Sequence, residues 1–192
     1  MRTPLNLITG KLIGKLIFLS LFLLAVNNTP AQEKPYSLGI NTGIANFESL
    51  STPVSGLQFT IFYEFPTWFT KAFNFQAALF YLRKTEFFLP EDSNGNYYPY
   101  FYGASFSGVM RQRIKDIFFA EEQAGLLVFK NKFFSNLDAV NYGISFGAFA
   151  GIDLRENFEK GFLLSIGYKG AITFNGDTPT INSFLIQTQY FF

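Results

Sequence analysis

Residues 142 to 155 alternate between large apolar side chains and small or polar ones with a period of two. The apolar positions are Tyr142, Ile144, Phe146, Ala148, Ala150, Ile152 and Leu154. Gly143, Gly147 and Gly151 also have the four-residue spacing of packed membrane helices, which would make this segment a dimerising helix. The segment is too short to span a membrane as a helix, and its polar residues share the parity of the glycines. The pattern therefore favours a β-strand.

Seven other segments alternate in the same way, so the sequence predicts eight strands. By residue number they are 36–45, 57–65, 73–82, 100–111, 118–128, 162–173 and 182–192. Each is close to the roughly 9 to 11 residues with which a tilted strand crosses a bilayer. The pattern is blurred at Phe80 and Leu82, which are large residues on the polar face, and at Glu122, a charge on the apolar face.

Composition indicates which face points outward. Only 15% of the residues are charged, against roughly 25% in soluble domains, and 20% are aromatic. A soluble ligand-carrying barrel also alternates, but its polar exterior would be rich in Lys and Glu. Here the polar face is mostly Gly, Ser, Ala, Asn, Gln and Thr, which suits the narrow interior of an eight-stranded barrel. We predict an all-β protein, an eight-stranded antiparallel up-and-down transmembrane β-barrel with its apolar face toward lipid.

The amino terminus has the layout of a cleaved signal peptide. Basic residues precede an apolar run from Leu16 to Val26, and small residues follow at Thr29 and Ala31. A single anchoring helix would need about 20 apolar residues, and Lys15 cuts the run short. We therefore expect a signal peptide over residues 1–31 and a barrel domain over residues 32–192. Without the basic signal the chain is slightly acidic, so no nucleic acid is expected as a partner.

Turn-forming runs separate the strands. With both termini on the periplasmic side, longer connections are expected outside, at 47–55, 86–97, 131–141 and 175–181, and shorter ones inside, at 66–71, 114–116 and 156–160. Long outer and short inner connections are typical of outer-membrane barrels. Aromatic girdles are expected at the two interfaces, formed by Tyr97, Tyr98, Tyr100 and Tyr102 at one and by Trp68 and Tyr63 at the other.

The last strand carries a resemblance to a known family. It ends on Phe192, with Tyr190 two residues earlier on the same face. Together with the signal peptide and the eight strands, this ending resembles the small outer-membrane β-barrel proteins of Gram-negative-type bacteria. The resemblance implies an outer-membrane location, with the lipid of that membrane as surroundings. It also implies that Phe192 and Tyr190 act as an assembly signal for the barrel-assembly machinery.

By parity, seven charged residues are expected in the lumen: Glu64, Arg111, Arg113, Glu121, Asp153, Arg155 and Lys169. They could form a catalytic or ion-guiding cluster, but charges in a narrow interior need partners, which favours a structural network of ion pairs. Phe62, Phe80, Phe101, Phe149 and Leu163 are expected to fill the remaining space. The loop acids Glu91, Asp92 and Asp177 are interpreted as solvated, with cation binding as the alternative.

The sequence favours a non-enzymatic role. It has neither histidine nor cysteine, which excludes Ser-His catalysis, thiolate nucleophiles and metal sites built on these residues. We predict no catalytic, cofactor-binding or metal residues and no cofactor. The favoured function is a structural role or an interaction of the surface loops with an external ligand. The alternatives are a narrow channel or small-molecule conduit and a lipid-modifying enzyme with a carboxylate-only site.

Overall fold

The computed structural model describes residues 36–49, 52–68, 73–88, 100–132, 139–156, 160–174 and 180–192. The expected signal peptide, residues 1–31, lies outside these ranges and its cleavage stays a prediction. The strands are β1 (Ser37–Ser49), β2 (Thr52–Pro66), β3 (Phe73–Lys84), β4 (Tyr100–Lys115), β5 (Phe118–Lys132), β6 (Ala139–Asp153), β7 (Gly161–Thr173) and β8 (Thr180–Phe191). In this part of the chain, no helix is long and apolar enough to cross a membrane.

The eight strands form one closed antiparallel barrel in sequence order, which confirms the predicted fold class. Closure is made by β1 and β8, which pair from Ser37 opposite Phe191 to Glu48 opposite Thr180. The N–H of Phe192 extends this seam by donating a hydrogen bond of 3.1 Å to the carbonyl of Tyr36. Each strand thus pairs on both sides, and no open edge faces the surroundings.

The barrel exterior is a continuous band of large apolar side chains. The predicted parity holds for the described side chains of all eight strands, with the apolar face mostly exposed and the polar face mostly buried. Leu79, Leu126 and Phe184 are each more than 60% exposed. An apolar surface of this extent is not stable in water, so the band indicates contact with lipid.

Glycines make room for the large rings inside. A Cβ atom at Gly39 would come within 2.2 Å of the Phe62 ring, and one at Gly167 would come within 2.4 Å of the Phe149 ring. Phe62 and Phe149 are both buried, so each lies over a lumen-facing glycine of a neighbouring strand. The lumen can accommodate large residues on the polar face in this way. Leu82 is buried there, so it faces the lumen and does not interrupt the alternation of β3.

The connections differ in part from the prediction. The start of β1 and the end of β8 lie at one end of the barrel, the terminal end, where the inner connections are found at 67–72, 116–117 and 154–160. At the opposite end, the loop end, only the connection between β3 and β4, residues 85–99, is long. The outer loop predicted at 47–55 is wrong, because β1 and β2 continue pairing to Ser49 and Thr52. Their ladder includes Phe47 opposite Val54, and a buried aromatic residue favours extending the strands.

Aromatic side chains mark both ends. Trp68 and Tyr63 are exposed at the terminal end, and Tyr100 and Tyr102 lie on the outer face at the loop end, as expected of interfacial girdles. Tyr97 and Tyr98 lie outside the described residues.

Candidate functional site: the barrel lumen and the loop end

The centre of the lumenal charge network is Arg111 on β4, which joins two glutamates from different strands. Its Nη2 lies 3.0 Å from Glu64 Oε2, and its Nε donates a hydrogen bond of 2.8 Å to Glu121 Oε2. Nη2 also donates to Glu121 Oε2. The side chains of both glutamates are fully buried, whereas that of Arg111 is 13% exposed. Register explains the second pair, because Arg111 and Glu121 are direct partners across β4 and β5.

Amide side chains provide the remaining hydrogen bonds to the carboxylates of both glutamates. Asn74 and Gln189 donate to the two oxygens of Glu64, at 2.5 and 2.7 Å. Gln123 and Gln187 donate to Glu121 Oε1 at 2.8 and 3.1 Å. Each carboxylate therefore accepts hydrogen bonds at both oxygens, which is the condition for keeping a buried charge.

The network also crosses the seam at which the barrel closes. Gln189 on β8 donates a hydrogen bond of 2.6 Å to the hydroxyl of Ser37 on β1, while its amide oxygen accepts from Arg111 at 3.1 Å. The chain's first and last strands are thus joined by side chains as well as by the backbone ladder. The lumen contributes directly to barrel closure.

A second, separate charge group lies at the rim of the terminal end. Arg155, just beyond β6, donates to both oxygens of Asp153 at 2.8 and 2.6 Å, and its guanidinium lies 4.2 Å from the centre of the Phe191 ring. Arg113 reaches Asp153 only at 4.0 Å, and its side chain is 36% exposed. Arg113 therefore belongs to the rim and not to the buried network.

Lys169 is in the lumen but lies apart from the expected network. It makes no salt bridge with any described residue, because register places it beside Gly147 and Ser183, nearer the loop end than Glu121. Its interaction with the Glu121 carboxylate is electrostatic and acts over a longer distance than a salt bridge. A cavity of about 20 Å³ beside Lys169 is lined both by polar residues such as Gln58 and Ser145 and by apolar ones such as Phe80, and it is about large enough for one water molecule.

Apolar side chains fill the lumen at the loop end. Phe47 and Phe101 meet edge to face with ring centres 4.5 Å apart, and Phe101 lies 5.8 Å from Phe129. We call this group the aromatic plug; its buried members are Ala45, Phe47, Leu82, Phe101, Leu127, Phe129, Ala171 and Ile181. Among the lumen aromatics expected from the sequence, Phe101 is in the plug, Phe80 packs against it, and Phe62 and Phe149 lie over glycines. Leu163 contacts Phe119 and Phe191 near the terminal end.

The described lumen is therefore blocked at two levels. The aromatic plug closes the loop end, and the network of Arg111, Glu64 and Glu121 occupies the terminal half. In this arrangement Glu64 and Glu121 are held by fixed donors and do not face an open space. A carboxylate pair that works as acid and base needs access to a substrate, and these two glutamates lack it.

The amide partners of the network are not predicted by the sequence pattern. Gln187 and Gln189 occupy alternate, lumen-facing positions of β8. This alternation of polar residues indicates that they face the lumen, but not which side chains they contact. Asn74 and Gln123 lie on the same face of β3 and β5. Their roles depend on cross-strand register, which alternation alone does not give.

The predicted assembly residues lie on the barrel exterior, Tyr190 within β8 and Phe192 directly after it. Tyr190 and Phe192 are exposed, with ring centres 5.8 Å apart, and Tyr190 also packs 5.0 Å from Phe162 of β7. Phe191 between them is buried in the lumen. The last strand thus presents an aromatic pair to the surroundings at the terminal end.

The loop end presents exposed aromatics where the long connection begins. A 3-10 turn at Thr85–Phe88 follows β3, and Phe87 and Phe88 in it are exposed. The Arg83 guanidinium lies 3.1 Å from the centre of the Phe87 ring. Glu91, Asp92 and Asp177, the acids considered for cation binding, lie outside the described residues.

A closed eight-stranded barrel with an exposed apolar band defines the class of protein. The fold is that of the bacterial outer-membrane β-barrels, and the band is the surface that meets the lipid of that membrane. No protein-family model and no curated protein matches the sequence. Among solved structures, the chain is similar to neisserial surface protein A, with a TM-score of 0.61 and 10% identity, over 82% of this chain and 97% of that one. It is also similar to Ail, the attachment invasion locus protein of Yersinia pestis, with a TM-score of 0.50 and 12% identity, over 83% of this chain and 100% of that one.

Proposed function

We propose that this protein is a non-enzymatic outer-membrane barrel that holds its loop end outside the cell for contact with an external partner. The observation that carries the proposal is the double closure of the described lumen. The aromatic plug and the buried charge network fill the described interior. The loop end is therefore the surface whose side chains can contact molecules outside the barrel. Loops on a rigid scaffold commonly carry binding functions.

The connection between β3 and β4 is the main candidate for the contact. Residues 85–99 form the longest connection at the loop end, and they begin with the exposed Phe87 and Phe88. The rest of this connection contains Tyr97 and Tyr98 together with Glu91 and Asp92. Exposed aromatic residues are enriched at protein interfaces. The names of the two similar proteins, a surface protein and an attachment invasion protein, agree with such a role.

Two measurements test the proposal. The chain has no cysteine, so a Gly95→Cys variant carries a single thiol. We expect a membrane-impermeant maleimide to label it on intact cells, while Thr67→Cys at the terminal end is labelled only after lysis. Replacing residues 89–98 by a short Gly-Ser linker should then reduce adhesion of expressing cells to immobilised extracellular-matrix proteins, at equal amounts of folded barrel. Labelling of the terminal end on intact cells, or unchanged adhesion, would contradict the proposal.

The closed lumen is tested separately in planar bilayers. We expect no steady single-channel openings from the unmodified protein, because the buried plug residues fill the described lumen at the loop end. Steady openings would favour the conduit hypothesis. We further propose that lipid modification is not catalysed here, since the two lumenal glutamates are held by fixed donors. A change in lipid composition on deletion, restored by the wild type but not by Glu64→Gln, would contradict this.

A further inference from the structure

The outer wall of the barrel has a groove in its apolar band. Its volume is about 760 Å³, within the roughly 300–1,000 Å³ range of small-molecule sites. Ala77 on β3 and Ala104 on β4 leave space because their own side chains are small, whereas their ladder partners Phe106 and Leu79 are large. The side chains around it are almost entirely apolar. The lining extends from Leu38 on β1 to Tyr142 on β6, so the groove is a broad apolar depression of the lipid-facing wall that suits an acyl chain.

Two basic side chains lie at the loop-end margin of this groove. Lys130 follows Val128, which lines the groove, on the same face of β5, and it is exposed. Arg83 lies on the same face of β3 as Leu79, which also lines it. Among lipid-facing strand positions whose side chains the structure describes, Arg83 and Lys130 are the basic residues of the loop half. The other two charges, Glu122 and Lys115, which pairs with the exposed Phe118, lie in the terminal half. In the loop half, the described positive charge of the lipid-facing wall is therefore concentrated at the margin of the groove.

The guanidinium of Arg83 is held in place by aromatic neighbours. It donates a hydrogen bond of 3.0 Å to the Tyr81 hydroxyl, packs on the Phe87 ring, and lies 5.6 Å from the centre of the Tyr100 ring. It makes no ion pair with a described carboxylate. Lys130 pairs in register with Tyr102, another exposed phenol. A fixed guanidinium, an exposed ammonium and phenol hydroxyls together suit a phosphate group.

We propose that this face binds a phosphorylated lipid of the leaflet at the loop end, with an acyl chain in the groove and the phosphate on Arg83 and Lys130. Charge complementarity identifies the occupant, because a zwitterionic lipid would fill the groove but would not neutralise Arg83 and Lys130, which form no ion pair with a described carboxylate. Basic side chains near a membrane surface attract anionic lipid, each by about fivefold in affinity. The inference depends on the membrane location of the barrel and is independent of the partner proposed for the loops.

Native mass spectrometry of the detergent-solubilised full chain tests the proposal. The protein is titrated with diphosphoryl lipid A and, separately, with a phosphatidylcholine. We expect one lipid A to bind preferentially and inorganic phosphate not to compete at millimolar concentration. Arg83→Gln and Lys130→Gln should each weaken binding by about fivefold and together by about 25-fold. Ala104→Leu, which fills the groove without changing charge, should also weaken it.

Matched variants separate this site from general lipid contact. Lys160→Gln removes an exposed charge at the terminal end, and Ala150→Leu enlarges an exposed residue of the band outside the groove. Neither should change lipid A affinity by more than about twofold. Heat-modifiable migration on a denaturing gel checks that each variant is folded. Equal affinity for the two lipids, an unaffected double variant, or equal losses in the controls would overturn the proposal.

Discussion

Arg111 binds both oxygens of the Glu64 carboxylate, although the two residues lie 47 positions apart in the chain. Nη1 lies 3.3 Å from Oε1, and Nη2 lies 3.0 Å from Oε2. The same guanidinium neutralises Glu121 from the adjacent strand. One cation therefore serves two fully buried carboxylates. Its removal would leave both charges without their main partner, which makes Arg111 the residue on which the network depends.

We expect Arg111→Met to lower the free energy of unfolding by about 3–5 kcal/mol, the cost of leaving a buried charge unpaired. Guanidinium unfolding of the barrel in phospholipid vesicles measures it. Arg113→Met is the matched control, because Arg113 lies on the same strand but is partly exposed and reaches Asp153 only at 4.0 Å. An exposed ion pair contributes about 0–1 kcal/mol. Equal losses in the two variants would contradict the structural role assigned to the network.

Glu121→Ala should also destabilise the barrel by about 3–5 kcal/mol, because it leaves Arg111 with one carboxylate and three amide or guanidinium donors without an acceptor. The loops should be unaffected. Proteolysis of the external segments on intact cells, compared between this variant and the wild type, checks that second point. A variant of unchanged stability, or one whose loops become newly cleavable at full barrel stability, would count against this interpretation.

The aromatic plug should contribute to stability from inside the barrel. Truncation of a buried phenylalanine typically costs about 3–5 kcal/mol, so we expect Phe101→Ala to fall in that range. Phe59→Ala is the control, since Phe59 is half exposed on the lipid-facing side of β2 and lipid replaces part of its contacts. The same unfolding titration compares the two. A larger loss for Phe59 would show that the exterior, not the plug, limits stability.

Alternation was sufficient for the fold because every strand has one lipid-facing and one lumen-facing side, and a one-residue error would invert both. It was not sufficient for the site. The partners of Glu64 come from β3, β4 and β8, so they depend on register and closure, which no single strand encodes. Lys169 has the lumen parity of the other charges, yet register places it beside Gly147 and Ser183.

The aromatic plug shows the same limit. The sequence predicts an outer connection from residue 47 onward, but the burial of Phe47 against Phe101 extends β1 to Ser49. Packing of this kind overrides local pattern. The sequence could indicate that large residues share the lumen, whereas their grouping at the loop end follows from where the strands begin and end.

Processing gives an independent prediction. We expect the mature protein to begin at Gln32, because small residues at Thr29 and Ala31 follow the apolar run. Intact mass spectrometry of the protein purified from membranes measures the terminus. Ala31→Arg should block cleavage and leave the longer chain, whereas Gln32→Ser should be cut normally. Recovery of the wild type with residues 1–31 attached would contradict the signal-peptide interpretation.

The aromatic pair of the last strand should matter for assembly more than for stability. Phe192 lies at the terminal end of β8, where a lipid-facing charge costs only about 0–1 kcal/mol, compared with about 2–4 kcal/mol at the membrane midplane. Phe192→Asp should therefore refold in vitro into phospholipid vesicles almost as well as the wild type. In cells we expect a several-fold lower amount of heat-modifiable protein, because the assembly machinery would no longer recognise the strand. Phe192→Tyr keeps the aromatic ring and should restore normal levels. If Phe192→Asp accumulates normally in cells, Phe192 is not an assembly signal; if it also fails to refold in vitro, its role is in barrel stability.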